Sequence, residues 1–132
     1  MPRFVILQHD GPQGLHWDFM LESGAALATW ALTESPDAAH PIAAWSLPEH
    51  RPAYLGYEGP VSGGRGTVTR WDEGTYKVER QEGGLLVVVL SGKRLAGRAT
   101  LERTGEGPEA WRFAFEAQQP GMTNVENQLT KE

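Results

Sequence analysis

The sequence contains no cysteine. Disulfide staples and thiolate-rich zinc sites are therefore excluded, and any bound metal must take nitrogen and oxygen ligands. Long apolar runs are missing too. The longest, 85–90, falls far short of the roughly 20 residues that a membrane-spanning helix needs. The N-terminus has no charged stretch leading into an apolar one, so no signal peptide is expected and a cytoplasmic protein without membrane attachment is the default. Excess positive charge is absent: 12 Lys and Arg stand against 17 Asp and Glu, for a net charge of −5. That balance argues against gripping a long nucleic-acid backbone but allows contact with one phosphate at a chain end. No segment keeps a 3.6-residue period over three turns, so long helices are not expected.

What is present is punctuation. Sixteen glycines and nine prolines divide 132 residues into short runs rich in Val, Leu, Thr, Trp and Tyr. This is the pattern of strands joined by turns. Strands are expected at 4–8, 15–22, 26–32, 42–47, 67–71, 75–80, 85–91, 95–103 and 111–116. Asp72-Glu73-Gly74 and Glu82-Gly83-Gly84 look like hairpin turns, and 57–66 like a longer loop. So many strands in a short chain predict an all-β fold, a small closed or nearly closed barrel, because closure removes exposed edges. A two-sheet sandwich is the alternative. The barrel domain should cover 1–117, and the polar, unpatterned 118–132 should form a mobile tail.

The strand at 15–22 is the most informative. Leu15, Trp17, Phe19 and Leu21 share one face, which should enter the core. His16, Asp18, Met20 and Glu22 share the other, which should line a surface or groove. Trp30, Trp45 and Trp71, inside other strands, are expected in the core. His9 arrives from the preceding strand. If it pairs near His16, the two side chains start roughly 5 Å apart and can converge with Asp18 on one ion. Two imidazoles and a carboxylate suit Mn, Zn or Fe and leave positions open for water and substrate. From spacing alone the alternative stands that both histidines are ordinary hydrogen-bonding side chains. His50, in the proline-flanked Leu47-Pro48-Glu49-His50-Arg51-Pro52, reads as a loop residue: a fourth ligand, a phosphate donor, a general acid or a solvated side chain. Tyr54 follows it, to offer a hydroxyl or to pack. His40 reads as a plain loop residue.

Several segments carry a family resemblance. Phe4-Val5-Ile6-Leu7-Gln8-His9, then Leu15-His16-Trp17-Asp18-Phe19-Met20-Leu21-Glu22, then Trp30-Ala31-Leu32, resemble the 3′-phosphoesterase domain of bacterial DNA ligase D. So do His50 to Tyr54, Glu58-Gly59, Gly66-Thr67-Val68, Trp71-Asp72-Glu73-Gly74-Thr75-Tyr76, and Leu90-Ser91-Gly92-Lys93-Arg94-Leu95-Ala96-Gly97. The order is that of the family from Phe4 to about Arg103. The resemblance implies a small β-barrel with a surface groove. It implies Mn-dependent trimming of 3′ ends in DNA repair, removing a terminal ribonucleotide and then the phosphate. His9, His16 and Asp18 are implied as ligands of a divalent metal, manganese first and zinc as the alternative. His50 and Tyr54 are implied as phosphate contacts or proton donors. A nucleic-acid 3′ end or other phosphate ester, and a repair protein, are the implied partners.

The departures shape the functional expectation. Family cations fall at Met20, Glu34 and, in a loose register, Ile42, and the sequence carries none of the extension, polymerase or ligase modules of ligase-linked forms. Arg51 and Arg65 are the candidate replacements for binding substrate. A stand-alone, divergent phosphoesterase is one expectation. The alternative is a non-catalytic metal-binding module that recognises a nucleic-acid end or a repair partner.

Overall fold

The punctuated runs become nine strands in the computed structural model, which describes residues 1–118. They are β1 (Arg3–Gly11), β2 (Gly14–Ser23), β3 (Ala26–Leu32), β4 (Ile42–His50), β5 (Gly59–Pro60), β6 (Thr67–Glu82), β7 (Leu85–Gly92), β8 (Ala96–Arg103) and β9 (Ala110–Ala117). Pro52–Leu55 forms a single 3-10 turn. The tail expectation lies outside the described residues from position 119 onward. No helix among the described residues is long and apolar enough to cross a membrane.

All pairings are antiparallel, in the order β1-β2-β3-β4-β9-β8-β7-β6, and β6 returns to pair with β1. The result is the nearly closed barrel, not the sandwich. The β4–β9 seam is short, joining only Ile42–Trp45 to Ala110–Phe113.

The expected turn at Asp72-Glu73-Gly74 is not a turn. Strand β6 runs through it, pairing with β1 over its first half and with β7 over its second. The two turn-type residues have other work there. A Cβ on Gly74 would lie 2.0 Å from the Ser91 carbonyl oxygen, so only glycine lets β7 come this close. Asp72 is 3% exposed; its Oδ1 accepts the backbone N–H groups of Glu73, Lys93 and Arg94, and its Oδ2 accepts that of Leu95. It clamps the β7–β8 turn. The Glu82-Gly83-Gly84 turn forms as the composition predicts.

Two apolar clusters explain why Phe4-Val5-Ile6-Leu7 shows no alternation. Phe4 and Ile6 point into the barrel with Phe19, Leu21, Trp30, Trp71 and Phe113. Val5 and Leu7 point outward into a second cluster with Met20, Leu27, Leu55 and Val68, against which Tyr54 and Val61 pack. Burying each such side chain contributes roughly 1.5–3 kcal/mol. The segment after β4 thus covers one half of the outer face of β1–β3 and leaves the other half open.

That division corrects several sequence expectations. Met20 is 1% exposed, under the Pro52–Leu55 turn, and does not line a groove. Leu15 is 46% exposed because it sits at the hairpin end, beyond the barrel rim, and Trp45 is 44% exposed on the open half of the outer face. Phe19, Trp30 and Trp71 are core residues as expected, and Trp17 packs partly buried against them. Ile42 belongs to the barrel interior.

Candidate metal centre

His9 and His16 are direct cross-strand partners in the β1–β2 hairpin, with ring centroids 4.6 Å apart. Asp18 follows two residues later on the same face and is 3% exposed. One ligand atom from each of the three lies within 4.8 Å of the others. Nδ1 of His9 is 3.1 Å from Oδ2 of Asp18, and Nε2 of His16 is 3.0 Å from Oδ1. The second approach is out of hydrogen-bonding alignment, so among the described residues the buried Oδ1 has no donor.

The other nitrogen of His9 fixes the chemistry. Nε2 lies 2.7 Å from the backbone carbonyl oxygen of Arg65. A carbonyl only accepts, so Nε2 carries a proton and donates it. In a neutral His9 the Nδ1 lone pair then faces a carboxylate oxygen. A second proton or a metal ion removes that conflict. A ligating imidazole whose remaining N–H is held by a backbone carbonyl is the usual supporting arrangement around a metal. The donor set therefore fits a divalent ion. Asp18 raises the His16 pKa above the ordinary imidazole value, first through the close 3.0 Å approach of Oδ1 to Nε2 and to a lesser degree through its charge, while burial opposes the rise.

Sequence reasoning missed the carbonyl because a backbone group has no side-chain signature. Its signal is Gly66, at φ +94°, where a Cβ would meet the Asp10 carbonyl oxygen at 2.1 Å. Only glycine lets the loop press against β1 there and bring Arg65 to His9.

The triad forms the floor of an open groove of about 390 Å³ whose walls include Leu15, Ala31, Thr33, Trp45, Leu47 and His50. Among the described residues no lysine or arginine lines it. His50 is the last residue of β4, not a loop residue, because β4 continues through Pro48. Its Nδ1 donates to the Pro48 carbonyl at 2.9 Å, leaving Nε2 available. Tyr54 stands edge-on to His50, with centroids 5.5 Å apart, but lines a separate pocket with Arg51, Tyr57 and Ser62. The Arg65 guanidinium folds back onto the carbonyl and hydroxyl of Ser62. Glu34 pairs with His40 at 2.8 Å and does not line the groove. His9, His16, Asp18 and His50 thus come together, whereas Tyr54, Arg51 and the Arg65 side chain lie to one side.

The model of the DNA Ligase D 3′-phosphoesterase domain matches residues 7–103. The chain is 34% identical over 112 residues to the multifunctional non-homologous end joining protein LigD of Pseudomonas aeruginosa, which covers 77% of this chain and 13% of that protein. It is 34% identical over 110 residues to the multifunctional non-homologous end joining DNA repair protein LigD of Mycobacterium tuberculosis, covering 76% and 14%. The matched region is thus a small fraction of those relatives' length.

Proposed function

This chain belongs to the DNA ligase D 3′-phosphoesterase domain family, and from that footing we propose that it is a metal-dependent phosphoesterase that processes 3′ ends of nucleic acid. The substrates are a 3′ phosphate or a 3′ ribonucleotide. The carrying observation is the buried Asp18 oxygen without a donor, beside two imidazoles, one of them held through its far nitrogen by a backbone carbonyl. His9 through Nδ1, His16 through Nε2 and Asp18 would hold the ion, manganese first and zinc as the alternative. A divalent ion at such a site polarises a phosphoryl oxygen and makes bound water more acidic.

The chain's own groups supply the rest. His50, with its Nδ1–H held by Pro48, presents Nε2 to take a proton when neutral or to donate one to a phosphate or leaving oxygen when protonated. Tyr54 steadies the His50 ring from the side. Arg51, exposed at the neighbouring pocket, would meet a backbone phosphate further along the strand; Arg65 would reach one only by leaving Ser62. The end-joining role in the relatives' names extends to this chain as a cytoplasmic repair setting, with a repair protein as partner.

One observation favours a second reading, a non-catalytic metal-binding module for a nucleic-acid end. Among the described residues no lysine or arginine lines the groove, and charge developing on a transferring phosphoryl group needs cationic or donor groups aimed at it. The experiment measures Mn-stimulated phosphate release from a 3′-phosphorylated primer together with metal content. Wild type should bind metal and release phosphate, and His16→Ala and Asp18→Ala should lose both. Metal binding without release favours the module, and a wild type that binds no metal sinks both readings.

A further inference from the structure

One row of residues crosses the outer face of the sheet from the metal centre to the far wall of the groove. Asp18 is directly opposite Ala31, and Ala31 is directly opposite Trp45. Opposed residues of antiparallel strands share a face. At about 4.8 Å per strand, Trp45 stands about 10 Å from Asp18. The residue between them has only a methyl group. The row is therefore a trough, with the metal ligands on one side and an indole on the other.

Both sides of this trough are informative. Trp45 is 44% exposed, and Leu15 in the same groove is 46% exposed. Two large apolar side chains left partly in water within one groove offer a surface that a ligand can cover. Among the described residues no lysine or arginine lines the groove, so its far wall offers a ligand an apolar surface rather than a cation. The occupant must join a flat apolar group to an oxygen-bearing group that reaches the triad. The end of a nucleic-acid strand does so, with its base and its sugar.

We propose that Trp45 is the platform on which the base of the 3′-terminal nucleoside stacks while its sugar crosses the Ala31 trough to His9, His16 and Asp18. This rests on the phosphoesterase reading and adds what selects the end: a terminal base rather than an isolated phosphate. Stacking is tolerant of sequence because every base has a π-face, so all four bases are accepted.

The test is fluorescence anisotropy with two 5′-labelled deoxyribo-oligonucleotides in the presence of Mn. They are identical except that one ends in an ordinary nucleoside and the other in an abasic sugar. Wild type should bind the base-bearing end about tenfold more tightly. Trp45→Ala should remove that preference and leave abasic-end binding unchanged, and Trp45→Phe should keep most of it. Because Trp45 lies outside the core, both variants should fold, which circular dichroism checks. Equal affinity of wild type for the two ends, or a preference that survives in Trp45→Ala, overturns the stacking assignment and leaves the phosphoesterase reading standing on its own phosphate-release assay. No affinity for either oligonucleotide, with no phosphate release, overturns both.

Discussion

Asp18 and Asp72 are equally buried, each 3% exposed, and they are solvated by the protein in opposite ways. Asp72 receives four backbone N–H groups, one from its own strand and three from the β7–β8 turn. Asp18 meets two imidazoles, and its Oδ1 has no donor. A buried carboxylate is costly unless its charge and lone pairs are met. The fold itself meets those of Asp72. For Asp18, no donor among the described residues meets Oδ1. Burial therefore does not separate scaffold from site here; the source of the partner does.

The largest effect expected on breaking this contrast is structural. Asp72→Ala leaves buried N–H groups without an acceptor and should lower the stability of metal-free protein by about 3–5 kcal/mol in urea unfolding. A loss below about 1 kcal/mol would put the two aspartates in one class. Asp18→Asn should do the converse. Calorimetric titration with Mn should show at least about a hundredfold loss of affinity, close to 2.7 kcal/mol, while metal-free stability changes by less than about 1 kcal/mol. A strongly destabilised Asp18→Asn protein would make that carboxylate a scaffold group.

A smaller effect tests the support behind the triad. Gly66→Ala pushes the loop off β1 and takes the Arg65 carbonyl from His9. It should cost about tenfold in Mn affinity; an unchanged affinity would show that the carbonyl does not orient the ring. The smallest effect is one of pH. The His16 pKa is raised in the folded metal-free protein. The His16–Asp18 contact therefore contributes stability that is complete below the ordinary imidazole value of about 6.5 and is lost as pH rises through the higher folded value. Metal binding runs the other way, because a ligating imidazole must be unprotonated, so affinity falls as pH drops through the raised value. Paired stability and titration curves in His16→Gln should lack both slopes; slopes that persist would assign them to another group.

The sequence made the strands and the triad legible for local reasons. Alternation in β2 placed His16 and Asp18 on one face, and a short turn returned His9 to the same end, as the register shows. It did not show which half of the outer face would be covered. Met20 and Trp45 both point outward, and only the landing place of the segment after β4, a contact distant in sequence, buries one and exposes the other. Asp72 was misread because a carboxylate that accepts N–H groups about twenty residues away has the same composition as one that starts a turn.

The pairing of β1 with β6 bears on how the chain is made. Strands β1 to β4 can pair in succession as they emerge from the ribosome, but the free edge of β1 must wait for a partner more than sixty residues later: Leu7 lies opposite Arg70. At roughly 5–20 residues per second the wait lasts seconds. Throughout it, Phe4–Leu7, at most 1% exposed in the finished barrel, presents an unpaired edge that is apolar on both sides. Such an edge templates pairing with another chain. The hazard of self-association therefore belongs to the nascent or heat-opened molecule.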